Sequence, residues 1–145
     1  MKTKAIITAL FLMVGLSAQA DNDRPIRFDQ LPKKAQQVIT ESFPNDRMSY
    51  AKMERDILEV SYEVILVSGT KLEFDRRGDW KEISTRNVAI DSKLIPAPIL
   101  EYVKLHHPDS IIVKIDRDRY TYEIKLNGGI QLKFDHSFRF IGWDD

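Results

Sequence analysis

The sequence predicts an α+β fold made of two tandem units, each a helix followed by a four-stranded antiparallel sheet. The sheets are expected to be continuous and curved, with both helices on one face. Three observations predict this. Two segments carry apolar residues at helical spacing and are closed by Pro44 and Pro108, 64 positions apart. Each is followed by runs of period-two alternation. Lys71-Leu72-Glu73-Phe74-Asp75 then returns as Gln131-Leu132-Lys133-Phe134-Asp135 at an offset of 60. The change of offset means that the second copy has lost four residues between its helix and its second strand.

The first helical stripe is Leu31, Ala35, Val38, Ile39 and Phe43; the second is Ile95, Ile99, Tyr102 and Val103, ending at His106-His107. Spacing of i, i+4, i+7, i+8 places these residues on one helix face. Pro32, Pro96 and Pro98 suit a helix start, where a missing N–H costs nothing, and Asp29 and Ser92 are the expected caps. Leu58, Val60, Tyr62, Val64 and Leu66 alternate with Glu59, Ser61, Glu63 and Ile65, and Tyr120, Tyr122, Ile124 and Leu126 with Arg119, Thr121, Glu123 and Lys125. Period two is the mark of a strand with one buried face. Ser68-Gly69 and Gly128-Gly129 supply hairpin turns, because glycine adopts positive φ at little cost. The outer strands of the units are expected near 47–54 and 80–86, then 111–116 and 138–143.

The start of the chain reads as a secretory signal. Lys2 and Lys4 precede an apolar run from Ala5 to Leu16, and Ala18-Gln19-Ala20 offers a cleavage site before Asp21. That run is too short to span a bilayer core of about 30 Å. The expected organisation is therefore a signal peptide over 1–20, a first unit over 21–86 and a second over 87–145. The expected location is the periplasm or the extracellular medium. With no cysteine in the chain, neither a disulfide nor a lipidated cysteine at the cleavage site is expected, and stability must come from a packed core.

The chain carries 22 basic and 22 acidic residues, so loss of Lys2 and Lys4 leaves a net charge of −2. That balance offers no attraction to nucleic acid or anionic lipid, and no later segment reads as a membrane span.

Catalytic chemistry finds little footing. There is no cysteine, no Gly-x-Ser-x-Gly elbow, no Gly-rich phosphate loop and no cofactor motif. The adjacent His106 and His107 point in different directions on a helix, and neither they nor His136 have metal-ligand spacing. Asp116-Arg117-Asp118 lacks the remaining ligands of a calcium loop and reads as a turn. Trp80 and the tyrosines Tyr62, Tyr120 and Tyr122 read as core. Trp143, near the chain end, is a candidate exposed contact.

The helix closed by proline, the Tyr62-Glu63 and Tyr122-Glu123 strands, the glycine hairpins and Phe74-Asp75-Arg76-Arg77-Gly78-Asp79-Trp80-Lys81-Glu82-Ile83 together resemble the PepSY-like, beta-lactamase-inhibitor-like periplasmic proteins of Gram-negative bacteria. The resemblance covers nearly all of 31–143. It implies the tandem architecture, one shared with an inhibitor whose sheet grips an enzyme, and it supplies no catalytic residues. The second copy departs from the pattern, with Phe138 where the first has Gly78 and Phe140 where it has Trp80. Its last turn is therefore expected to be built differently.

The polar sheet face is the remaining candidate site. Glu63, Lys71, Glu73, Glu123, Lys125 and Lys133 should project from it with mixed signs, and Trp143, near the chain end, is a further candidate contact. The sequence thus points to an exported, non-catalytic protein that docks a protein or peptide on the sheet, inhibition being one version. A structural or envelope-stress component acting by self-association, and a hydrolase with an unfamiliar site, are the alternatives. The sequence leaves the oligomeric state open.

Overall fold

A computed structural model of the chain describes residues 22–144. The signal peptide and its cleavage site fall outside the described residues. After a two-residue strand β1 (Arg24–Pro25) and a 3-10 turn come α1 (Lys33–Ser42), β2 (Met48–Arg55), β3 (Val60–Leu66), β4 (Lys71–Asp75) and β5 (Trp80–Ser84). A second 3-10 turn leads to α2 (Ala97–His106), β6 (Ile112–Arg117), β7 (Thr121–Leu126), β8 (Gln131–Asp135) and β9 (Phe140–Asp144). The nine strands form one open sheet in chain order, every neighbouring pair antiparallel.

Both helices begin later than the expected caps. Pro32 and Pro96 stand at the N-caps in extended conformation, and Asp29 lies in the preceding 3-10 turn, paired with Arg27 at 3.1 Å. The physical reason is steric: a residue before proline is pushed out of the helical region, so Leu31 and Ile95 stay extended. Asp91, not Ser92, accepts the N–H of Lys93 at 3.0 Å and caps the second 3-10 turn.

The alternation predicted for the strands holds at its centre and fails at its ends. Val64, Leu66, Leu72, Phe74, Ile83, Ile115, Ile124, Leu126, Leu132 and Phe134 are essentially inaccessible. They pack with Leu31, Ala35 and Ile39 of the α1 segment and with Ile99 and Val103 of α2 in one core cluster. Both helices therefore cover the same face, and every second strand residue is left on the other. Leu58 and Tyr120, expected in the apolar alternation, instead sit in the β2–β3 and β6–β7 turns and are largely exposed. The backbone has already turned there: Asp56 N–H bonds to Glu59 O at 2.8 Å and Asp118 N–H to Thr121 O at 3.0 Å.

One strand was not foreseen. β1 has only two residues and no alternation, but its register of Arg24 with Met53 and Pro25 with Lys52 adds it to the edge of β2. The bond from Ile26 N–H to Ala51 O at 2.9 Å extends that contact.

The last turn of the second half is built like that of the first, contrary to expectation. Asp75 accepts from the N–H groups of Arg77 and Asp79, and Asp135 accepts from those of Ser137 and Arg139. Gly78 N–H returns to Asp75 O and Phe138 N–H to Asp135 O, both at 2.9 Å. Phe138 has φ 61 where Gly78 has φ 88. The carboxylate cap thus imposes a left-handed conformation on a phenylalanine, at a cost of about 1–2 kcal/mol. Glycine is needed at 78 for a further reason. A Cβ there would stand 2.7 Å from Pro32 Cβ and 3.0 Å from Ala35 N, inside the first turn of α1.

Candidate binding face of the sheet

The face opposite the helices carries a row of carboxylates set by strand register. Glu63 on β3 stands opposite Glu73 on β4, Glu73 opposite Glu82 on β5, Glu82 opposite Asp116 on β6, and Asp116 opposite Glu123 on β7. Lys52 on β2 and Lys133 on β8 close the row at its two ends. Five carboxylates thus cross five consecutive strands. Their spacing is the inter-strand distance of about 4.8 Å, which gives a row about 20 Å long.

A neighbouring row is basic or neutral. Lys71, Ser84, Lys114 and Lys125 are opposite one another in that order, each two residues along its strand from a member of the acidic row. The lysines reach back into the spaces between carboxylates. Lys71 Nζ lies 2.7 Å from Glu73, 3.3 Å from Glu63 and 3.9 Å from Glu82. Lys114 Nζ lies 3.3 Å from Asp116 and 3.6 Å from Glu82. At the β1 edge, Lys52 Nζ lies 2.8 Å from Asp23 and 2.5 Å from Glu54. Lys133 meets Glu123 at 3.3 Å.

These contacts shift the ionisation of the face. Desolvation would lower the ammonium of Lys71, but its hydrogen bond to Glu73 and the charges of Glu73 and Glu82 outweigh that and raise it. Lys114 behaves in the same way, with Asp116 and Glu82 as the opposing charges. Lys52 is raised chiefly by its hydrogen bond to Asp23. Asp116 moves the other way from a normal carboxylate and is pushed up to about 6. Burial is the main cause, followed by a hydrogen bond and repulsion from Glu82, and Lys114 only partly offsets them.

Of the residues the sequence singled out, Glu63, Lys71 and Glu73 come together in one network, and Glu123 and Lys133 form a second pair. Lys125 shares the basic row beside Lys114. Trp143 does not join them. It stands opposite the fully buried Leu132, and its ring meets His107 and Phe140 edge to face at 5.8 and 5.4 Å, on the helix side. The sequence reading missed Lys52, Glu82, Lys114 and Asp116, which complete the rows. Their signal lay in the alternation next to buried residues: Glu82 precedes the buried Ile83, and Lys114 and Asp116 flank the buried Ile115.

The histidines are not gathered. His136 Nε2 is 2.8 Å from Asp118 O, His106 stacks on Tyr102, and His107 packs against Trp143. Among the described residues, no group of three or more His, Cys, Asp or Glu side chains is placed to hold a metal ion. Within the acidic row, lysine ammoniums fill the spaces a cation would take.

An open antiparallel sheet with both helices on one face and a charged second face defines a class of α+β protein. Within it, a family model described as "Putative beta-lactamase-inhibitor-like, PepSY-like" matches residues 60–142, and the chain belongs to that family. A solved structure from Bacteroides thetaiotaomicron, described as a "putative calcium-regulated periplasmic protein", is 43% identical with a TM-score of 0.84, over 87% of this chain and 99% of that one. A DUF2874-family protein from Bacteroides vulgatus, described as a "putative periplasmic protein", is 42% identical with a TM-score of 0.83 over the same shares. A second Bacteroides vulgatus protein, described as of unknown function, is 34% identical with a TM-score of 0.82, over 85% of this chain and 99% of that one. No curated protein matches the chain. No described helix is long and apolar enough to cross a membrane.

Proposed function

We propose that the chain is an exported, non-catalytic binding protein that docks a protein or peptide on the charged face of its sheet. The observation that carries this reading is the row Glu63, Glu73, Glu82, Asp116 and Glu123. The strands that carry it are seated on a buried apolar core, which fixes the spacing of the row. The five carboxylates of the row are matched by Lys52, Lys71, Lys114, Lys125 and Lys133, and Asp23 and Glu54 at one edge bring the acidic residues into excess. The fitting partner therefore presents Lys or Arg side chains along an extended segment or a ridge. Complementary charge of this kind sets encounter rate and register more than raw affinity.

The family description and the periplasmic neighbours support export and a non-enzymatic role. Inhibition of an enzyme would be one form of such docking. The calcium regulation named for the Bacteroides thetaiotaomicron protein enters only as a condition to vary, because the carboxylates here are already bridged by lysines.

The test is an affinity capture from periplasmic extract, with the chain from Asp21 onward as bait and with and without calcium. A control bait carries Glu73→Lys, Glu82→Lys and Glu123→Lys. A protein held by the native bait and lost by the control supports the reading. Equal capture by both baits moves the site off this face.

A further inference from the structure

The sheet has two edges, and they are unlike. At β1 the edge is two residues long and includes Pro25, which has no N–H to offer a newcomer. At the other end β9 runs for five residues, Phe140–Asp144, and is bonded to β8 alone. Among the described residues, nothing pairs with its outer backbone groups. Of the usual protections of an edge it has a bulge at Ile141 but no proline and no lysine, and its only charged residue is Asp144.

The chain itself shows what such an edge accepts. β5 and β9 are each the fourth long strand after a helix. Each bulges against its predecessor at the same place, between Glu73 and Phe74 and between Lys133 and Phe134. At β5 the outer edge is filled by β6, antiparallel, with Ile83 opposite Ile115. Ile83 is consequently 0% exposed. Trp143 holds the corresponding place on β9, opposite Leu132 as Ile83 is opposite Leu72, and it is 60% exposed. Ile141 beside it is 53% exposed. Ile83 is flanked by strands on both sides, and Trp143 on one side only.

We infer that β9 is a self-association edge, on which β9 of a second copy pairs antiparallel about a two-fold axis. This inference is independent of the charged-face reading. A second copy is favoured because its own β9 has the same defect, so one event covers both Trp143 side chains and both sets of free backbone groups. The β1 edge, being short and blunted, cannot serve instead. An antiparallel strand pair related by a two-fold is self-complementary and closes, so it stops at a dimer.

The test is sedimentation equilibrium of the purified chain from micromolar to near-millimolar concentration, with hydrogen exchange measured at both limits. Dimer formation should rise with concentration and slow the exchange of β9 amides. Ile141→Lys should weaken the dimer by roughly tenfold or more, since a charge on an edge strand opposes pairing. Trp143→Lys should act the same way, and melting curves show whether either variant still folds. A monomer at every concentration overturns the inference. So does a dimer whose β9 amides exchange as fast as in the monomer, or one unaffected by Ile141→Lys. An affinity for extended peptides without self-association would also overturn it, by showing a foreign strand as the occupant.

Discussion

Glu82 and Asp116 stand opposite each other across the β5–β6 pair, the one place where the strands before α2 meet those after it. Two carboxylates in register are an unfavourable choice in isolation, since like charges directly opposite destabilise a strand pair. Lys114 between them and the neighbouring Lys71 make the arrangement tolerable. The outcome is an Asp116 carboxyl that holds its proton up to about pH 6.

This relationship makes stability fall as pH rises through a defined window. The unfolded aspartate releases its proton near pH 3.9. Between that value and about 6 the folded chain binds more protons than the unfolded one, so Asp116 favours folding most at the acid end and loses that contribution as pH rises. Asp116→Asn should therefore gain stability relative to the native chain on going from pH 4 to pH 7. The gain should be about 1 kcal/mol or more after allowance for solvent screening. Urea unfolding of both proteins at the two pH values checks it, and a constant difference would show that Asp116 titrates normally.

Gly78 and Phe138 occupy the same place in matching turns and should respond in opposite ways. Gly78→Ala must fit a Cβ against Pro32 and the backbone of Ala35 at positive φ. A loss of about 2 kcal/mol or more is expected. Phe138→Gly relieves a strained φ but gives up the contact with Tyr122 at 5.5 Å and adds freedom to the unfolded chain. Those terms nearly cancel, and a change within about 1 kcal/mol is expected. Denaturant midpoints of the two variants provide the comparison.

Arg117 fastens β6 to β5 from the helix side. Its Nε donates to Trp80 O at 2.6 Å, and its guanidinium lies 3.9 Å from the centroid of the Trp80 ring. Arg117→Ala should cost about 1–2 kcal/mol and loosen the packing of Trp80, read as a weaker near-ultraviolet dichroism. Arg117→Lys should recover only part of this, because an ammonium does not reproduce a planar guanidinium over an indole.

Lys71 is the cation on which three glutamates converge. Lys71→Met keeps the stem and removes the charge. It should destabilise the chain by about 1–2 kcal/mol at low salt, and the loss should shrink at high salt, which screens the ion pairs. A loss that is the same at both salt concentrations would mean that packing of the stem, and not charge, is what Lys71 contributes.

The fold was legible where local pattern and tertiary environment agree. Val64, Leu66, Ile124 and Leu126 alternate in sequence and are buried in the structure, because the helices cover one face uniformly. Leu58 and Tyr120 misled because alternation persists in sequence beyond the point where the chain turns. β1 carries no pattern of its own and exists through its pairing with β2. The candidate face was half legible for the same reason. Glu63 and Glu73 are joined by a short hairpin and could be paired from sequence. Glu82 and Asp116 are 34 residues apart with α2 between them, and only the β5–β6 register brings them together. Trp143 was expected to be exposed near the chain end and is 60% exposed, but it stands opposite Leu132 and so lies on the helix side, apart from the charged rows.

The proposed role of the charged face is to receive cationic groups. Backbone chemical-shift mapping with a lysine-rich extended peptide as probe tests it directly. Perturbations are expected to centre on the amides of Glu63, Glu73, Glu82, Asp116 and Glu123, to weaken with salt and to be lost in the Glu73→Lys, Glu82→Lys, Glu123→Lys variant. Perturbations confined to α1 and α2, or none at near-millimolar peptide, would contradict it.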